Sequence, residues 1–195
     1  MRRPSSRQRR LVILSLAVIA FGLAYYAGSR YKDRSLLPPT ISGVAIHPPT
    51  PLPELPESAD TLLKPEALSG HWSLLMLDPH AGETRSPALV RLLQVHNRLA
   101  SEPDLQRKLV YLYLAPSLQG ETQQAIERLG DNLHALTGDA DQVAEIFRRF
   151  GVEPDSETAA LYLIGPQVRL HALFTPDQDT ATITVDLTTL ITLEP

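Results

Sequence analysis

Two nearly continuous apolar segments place the strongest constraint on how this chain can fold. They are residues 72–77 (WSLLML) and residues 109–115 (LVYLYLA). Short runs of this kind, without alternating polar residues, are typical of strands that are covered on both faces. A sheet with both faces covered needs helices above and below it. The sequence therefore predicts an α/β fold, in which helices flank a central sheet.

The other elements predicted from the sequence agree with this class. Ser86 and Pro87 form a favourable helix start after the first strand, because Ser is a good N-cap and Pro is preferred at the first helical position. Gly165 and Pro166 indicate the turn of a hairpin. Helices are further predicted over residues 120–132 and 139–150, and strands over residues 133–137, 161–164 and 168–174. The tail over residues 182–191 fits either a strand, from its Thr and Val content, or a helix with one apolar face.

The N-terminal part has the pattern of a membrane anchor. Five arginines between residues 2 and 10 precede an apolar run over residues 11–29, which is long enough to cross a bilayer as a single helix. The positive-inside rule keeps the arginines in the cytoplasm. We therefore expect a single-pass protein of the bacterial inner membrane with a periplasmic C-terminal domain. The alternative is a cleavable signal peptide, for which Ala27-Gly28-Ser29 is a mediocre cleavage site.

Four regions are predicted along the chain. Residues 1–10 are a basic cytoplasmic segment, and residues 11–29 are the transmembrane anchor. Residues 30–66 form a linker that contains eight of the seventeen prolines and leaves room for a short N-terminal strand or hairpin within residues 52–63. Residues 67–195 form the folded domain.

Charge and cysteine content exclude several classes of function. Residues 36–195 carry ten Lys or Arg against twenty-one Asp or Glu. This balance argues against binding of nucleic acid, which needs a basic surface. The chain has no cysteine, which excludes a disulfide, a thiol nucleophile and a thiolate metal site. We expect no cofactor and no small-molecule substrate.

The segment around the first strand resembles the active-site region of the SCO/SenC family, thioredoxin-fold copper chaperones of cytochrome c oxidase assembly. In that family such a strand leads into a loop that carries C-x-x-x-C followed by Pro. Here the two cysteine positions fall on Gly82 and Ser86, and the Pro is Pro87. Weaker matches follow in the family's order at Leu136-Thr137-Gly138, at Phe150-Gly151-Val152 and at Tyr162-Leu163-Ile164-Gly165-Pro166, the last with Gly165 in place of Asp. The resemblance implies a thioredoxin-like fold and a closing helix in the tail.

The resemblance also implies that the copper site of the family is lost in this chain. The family's third ligand is a His five residues before Tyr162, and this chain has Glu157 there. Gly, Ser and Glu at the three ligand positions offer no soft donor, whereas copper sites prefer thiolate, imidazole or thioether. His80 lies in the same loop and is a weak candidate for a metal role. Ser86 with His80 as base lacks the motif of a nucleophile elbow, and a carboxylate pair of Glu83 and Glu157 is better explained as acidic surface.

These observations predict a protein of this family that is not an enzyme. The expected role is that of an accessory or scaffold protein in respiratory cytochrome oxidase assembly, with oxidase subunits or assembly factors as partners. Two alternatives stay open. One is a copper carrier with a non-standard site near His80, and the other is a thioredoxin-like binding module unrelated to oxidase assembly.

Overall fold

The structure is a computed structural model that describes residues 22, 40–58, 61–80, 86–128, 132–152 and 159–193. Its strands are β1 (Val44–Pro51), β2 (Leu55–Ser58), β3 (Thr61–Leu63), β4 (Trp72–Leu77), β5 (Leu109–Leu114), β6 (Leu133–Leu136), β7 (Ala160–Gly165) and β8 (Arg169–Phe174). Its helices are α1 (Pro65–Leu68), α2 (Pro87–Arg98), α3 (Pro103–Gln106), α4 (Gly120–Arg128), α5 (Ala140–Arg149) and α6 (Thr180–Leu193), with a 3-10 turn at Leu99–Ser101.

The predicted membrane anchor stays a prediction. Residues 11–29 lie outside the described residues, apart from Gly22. Within the ranges that the structure describes, no helix is long and apolar enough to span a bilayer.

Six strands form one mixed sheet in the order β1-β8-β7-β4-β5-β6, and β2 pairs with β3 in a separate hairpin. β4, β5 and β6 run parallel to one another, whereas β7 lies antiparallel to β4, and β8 and β1 continue the sheet in antiparallel pairs. In the centre Leu75 is in register with Leu112 of β5 and with Tyr162 of β7. β4 is thus paired on both edges, and all six of its residues are buried.

Both faces of the sheet are covered, because successive residues of a strand point to opposite faces. Trp72, Leu74 and Met76 of β4 belong to a cluster that includes apolar residues of α2, α4 and α6. Leu75 and Leu77 belong to a second cluster with residues of α5 and of the β2–β3 hairpin. The α/β class with flanking helices, predicted from the sequence, is therefore confirmed.

The ambiguous tail forms helix α6 because the core covers its apolar face. Four of its apolar residues are buried in the same cluster as α2: Ile183, Leu187, Leu190 and Ile191. Its threonines are accommodated by hydrogen bonds to carbonyl oxygens one turn earlier, as from the Thr184 hydroxyl to Thr180 at 2.7 Å. Asp179 caps the helix start by accepting hydrogen bonds from the backbone N–H groups of Ala181 and Thr182. The closing helix that the family resemblance implied is present.

A buried carboxylate on α6 holds the N-terminal part of the folded unit. Asp186 is 5% exposed, and its Oδ2 accepts hydrogen bonds from the backbone N–H groups of Ser42 and Gly43 at 3.0 and 2.9 Å. Charge-assisted hydrogen bonds of this kind are stronger than neutral ones. They attach the segment before β1 to the last helix of the chain.

The structure differs from the predicted Pro-rich linker over residues 30–66. Residues 44–51 form β1, which pairs with β8 at the edge of the sheet with a register shift between Ala45 and Thr50. The sequence did not indicate this strand because Pro lacks the N–H group that a strand ladder uses. An edge strand tolerates Pro where that group would face away from its neighbour. Residues 55–63 form the β2–β3 hairpin, inside the range where the sequence left room for one.

Packing explains why this chain has Gly165 where the family pattern has Asp. A Cβ atom on Gly165 would lie 2.3 Å from Nε2 of His171, a separation that two such atoms do not tolerate. The His171 ring is buried edge-on against Trp72, with ring centroids 5.1 Å apart. A residue without a side chain at position 165 leaves room for this aromatic contact.

We expect Leu75→Ala to lower the free energy of unfolding by about 2–5 kcal/mol, because it leaves a cavity in the core beside α5. Leu75 is fully buried, whereas Val185 on α6 is 64% exposed. The control Val185→Ala should change the free energy of unfolding by no more than about 0.5 kcal/mol. Urea denaturation of the two variants and the parent chain measures both values. Equal losses in the two variants would contradict the central placement of β4.

Candidate functional site

The segment between β4 and α2 is the one that the sequence resemblance aligns with the metal-binding motif of the SCO/SenC family, and the structure describes its two ends. Residues 78–80 follow β4, and Ser86 precedes α2. Gly82, Glu83 and Glu157 lie outside the described residues. The predicted loss of the family's copper site at Gly82, Ser86 and Glu157 therefore stays a prediction.

Ser86, at the second cysteine position, is the N-cap of α2. Its backbone is extended, with φ −64° and ψ 138°, and its Oγ accepts a hydrogen bond from the N–H group of Ala88 at 3.0 Å. Pro87 occupies the first helical position, where its missing N–H group costs nothing. The predicted N-cap is confirmed. The Ser86 residue is also buried, and its oxygen stabilises the helix start.

His80 is an exposed residue at the described end of the loop. Its backbone N–H group donates a hydrogen bond to Oδ1 of Asp78 at 3.0 Å. Among the residues that the structure describes, no three His, Cys, Asp or Glu side chains are grouped in a way that could hold a metal ion. A metal role for His80 stays a hypothesis without further support from its neighbours.

A buried hydrogen bond between Asp78 and Tyr113 lies below the loop, and the sequence did not indicate it. The Asp78 residue is 3% exposed and Tyr113 is fully buried. The Tyr113 hydroxyl donates a hydrogen bond to Oδ2 of Asp78. Burial raises the pKa of Tyr113, the Asp78 carboxylate raises it further, and the Ser86 hydroxyl opposes the rise. Tyr113 is therefore a proton donor that stays protonated, and it stabilises the carboxylate next to the helix start.

The pattern that could have revealed this pair is a charged residue directly after a buried strand. Asp78 follows β4 without a spacer, and Tyr113 lies in the next strand of the sheet. A buried tyrosine usually has a hydrogen-bond partner for its hydroxyl group. The two residues are 35 positions apart in the sequence. Their pairing could not be predicted from the sequence, because the pairing depends on the parallel register of β4 and β5.

Asp78 lines a cavity of about 340 Å³ beside the start of α2. The lining also includes His80, Ser86, Arg91 and Pro176. One terminal nitrogen of Arg91 donates hydrogen bonds to the carbonyl oxygens of Thr175 and Gln178, at 2.5 and 2.9 Å. Burial lowers the pKa of Arg91, and the nearby Asp177 opposes that shift. Arg91 thus holds the loop before α6 in place beside the cavity.

The groups that could act as metal ligands in the described part of this site are hard or borderline ligands. They are the Asp78 carboxylate, the His80 imidazole and the Ser86 hydroxyl. No thiol is present in the chain, so thiol–disulfide exchange and thiolate coordination are chemically unavailable here. The arrangement can accept hydrogen bonds and receive a positive charge.

The fold resembles those of solved Sco proteins and of a peroxidoxin. Apo Sco1 from Thermus thermophilus aligns with a TM-score of 0.56 and 19% identity over 77% of this chain and 97% of its own. BsSco, a member of the Sco family of cytochrome c oxidase assembly proteins, aligns with a TM-score of 0.51 and 14% identity over 80% of this chain and 98% of its own. The peroxidoxin BcpB from Mycobacterium tuberculosis aligns with a TM-score of 0.54 and 14% identity over 78% of this chain and 99% of its own. No protein-family model and no curated protein matches the sequence.

The resemblance to the SCO/SenC family seen in the sequence is confirmed in the fold. The described residues adopt a fold similar to those of solved Sco proteins, and the chain differs from the SCO/SenC sequence pattern by having no cysteine. The peroxidoxin shares the same fold at a similar level of similarity, so the fold alone does not separate a chaperone from an enzyme.

We expect Tyr113→Phe to lower the free energy of unfolding by about 1–3 kcal/mol, because it removes a hydrogen bond from a buried carboxylate. Tyr111, two residues earlier in β5, provides a matched control. Its hydroxyl is buried and has no hydrogen-bond partner within the described residues. Tyr111→Phe should therefore be neutral or slightly stabilising. Thermal and urea denaturation of the two variants tests the difference, and equal effects would contradict the role of the Asp78–Tyr113 bond.

Proposed function

We propose that this chain is a non-catalytic Sco-like protein that assists the assembly of a respiratory cytochrome oxidase. One observation carries the proposal: a Sco-like fold is combined with a motif position that has no thiol, where Ser86 serves as a helix cap. A domain that keeps the scaffold without the metal chemistry acts through surface contacts. The partners of this chain are then oxidase subunits or other assembly factors.

The proposed location is the bacterial inner membrane, with the folded domain in the periplasm. The support comes from the five arginines that precede the apolar run over residues 11–29. Such an anchor would keep the domain close to membrane-embedded oxidase subunits. The linker after residue 29 and before β1 would set its reach.

The chain is proposed not to be an enzyme. Its likeness to a peroxidoxin raises the alternative of a thiol-dependent peroxidase, but the chain has no cysteine to act as the nucleophile. Ser86 does not replace it, because its oxygen already accepts the Ala88 N–H group. A copper carrier at His80 is the weaker alternative, since the nearest described acidic group, Asp78, already accepts two hydrogen bonds and is a hard ligand.

We expect the purified chain to bind no Cu(I) in competition with a high-affinity chelator, because none of its three family ligand positions offers a soft donor. A triple variant with Gly82→Cys, Ser86→Cys and Glu157→His restores the family's donors and should gain one tightly bound equivalent. Titration of both proteins with Cu(I) against the chelator measures the difference. One tightly held equivalent in the parent chain, lost in His80→Ala, would instead support the carrier alternative.

Deletion of the gene in its own host should lower cytochrome oxidase activity in isolated membranes. Expression of the parent chain should restore the activity, and so should Ser86→Ala, which costs only about 1 kcal/mol as a lost helix cap. Normal oxidase activity in the deletion strain would count against the assembly role. If Ser86→Ala kept its melting temperature within the range expected for a lost cap and yet failed to restore activity, the loop would be a working site.

A further inference from the structure

Asp78 is a buried carboxylate without a cationic partner in the described part of the chain. The ion pairs found there join Arg107 to Asp104, and Arg148 and Arg149 to Glu145. Asp78 accepts the Tyr113 hydroxyl and the His80 backbone N–H group. A carboxylate offers about four lone-pair sites, and the described residues use two of them. Buried charges are normally paired, and this one lines a cavity.

We call the space whose lining includes Asp78, His80, Ser86, Arg91 and Pro176 the Asp78 cavity. This cavity reaches the surface. Its lining includes the exposed residues His80 and Pro176. Its volume of about 340 Å³ is at the lower end of the range, roughly 300–1,000 Å³, in which proteins hold small groups. The cavity therefore has room for one long side chain from outside.

Arg91 also lines the Asp78 cavity, but it forms no ion pair with Asp78 among those found in the described residues. The Arg91 guanidinium donates to the carbonyl oxygens of Thr175 and Gln178. The acidic group that acts on its pKa is Asp177, which lies in the loop before α6. The charge of Arg91 is thus engaged in holding that loop, and no cation of the described residues is paired with Asp78.

A second, apolar depression adjoins the Asp78 cavity. We call it the apolar groove; it has a volume of about 170 Å³ and is lined by Pro79, Pro116, Ala140, Val143, Ala144 and Phe147. Pro79 lines both spaces, so the two spaces meet at the residue that follows Asp78. Ala140 is exposed and Ala144 is partly exposed, which leaves the groove open to a partner.

We propose that the Asp78 cavity and the apolar groove together bind an extended segment of a partner protein. A Lys or Arg side chain of that segment enters the cavity and pairs with Asp78, and an aliphatic side chain on the same side of the segment fills the groove. In an extended chain these two residues are separated by one other residue, because alternate side chains point to the same side. The acidic excess of residues 36–195, twenty-one acidic against ten basic residues, favours the approach of a basic partner. This inference rests on the proposed function only in that it requires a protein partner.

The test uses the full-length chain in a neutral detergent and a set of short peptides. Two probes carry Lys and Leu separated by one Gly, in the two possible orders, and their matched controls carry norleucine in place of Lys. Binding is measured by fluorescence anisotropy with an uncharged dye. The better Lys peptide should bind at least about tenfold more tightly than its norleucine control, as a charge-assisted hydrogen bond to a buried carboxylate predicts.

Three variants separate the two parts of the surface. Asp78→Asn keeps an acceptor for Tyr113 but removes the charge, and it should reduce the preference for Lys to less than about twofold. Asp104→Asn removes an exposed acid elsewhere, since the Asp104 side chain is 88% exposed, and should leave the preference unchanged. Ala144→Gln narrows the groove, so it should weaken Lys and norleucine peptides alike. Thermal unfolding of each variant checks that it is folded.

Equal binding of Lys and norleucine peptides to the parent chain overturns the proposal, and this comparison needs no variant. Absence of binding by every peptide overturns it as well, as does a preference for Lys that survives in Asp78→Asn. Spermidine that binds as tightly as the Lys peptide would assign the cavity to a small cation and not to a protein segment. The assembly role is decided separately by oxidase activity in the deletion strain, so the two proposals can fail independently.

Discussion

The burial of β4 on both faces and along both edges is the constraint on which the rest of this structure depends. Its six residues are all buried, and it pairs with β5 in parallel and with β7 in antiparallel orientation. A strand in this position needs a layer of helices on each side. Helices α2 and α6 cover one face and α5 covers the other. The same placement puts Asp78 at the carboxyl end of β4. Functional sites of proteins with such sheets commonly lie at the carboxyl ends of the strands.

At this end of the strands, Ser86 stands where the family resemblance places a cysteine, and the described groups around it form hydrogen bonds. Ser86 caps α2, and Tyr113 holds the Asp78 carboxylate in a buried position. Together they stabilise the transition from strand to loop to helix without a thiol or a disulfide. The described groups at this site accept hydrogen bonds and offer a negative charge, which is consistent with the proposed role of an accessory protein that works by contact.

The sequence by itself determined those features that depend on neighbouring residues. The apolar runs predicted β4 and β5, because a continuous apolar segment of this length can be satisfied in a sheet covered on both faces. The N-cap at Ser86 was predictable because its hydrogen bond reaches only to Ala88. The Gly165 turn was also predictable from local signals. The spacing of the motif residues was enough to indicate a Sco-like domain, since family motifs are themselves local patterns.

Only the tertiary structure decided the features that join distant parts of the chain. The Pro-rich residues 44–51 form a strand because the edge of β8 accepts a partner that lacks some N–H groups. The tail forms helix α6 because its apolar side packs into the core beside α2. The pairing of Asp78 with Tyr113, and the contact of His171 over Gly165, arise from strand register and packing across the sheet. No local pattern contains these contacts, because they exist only after the sheet has formed.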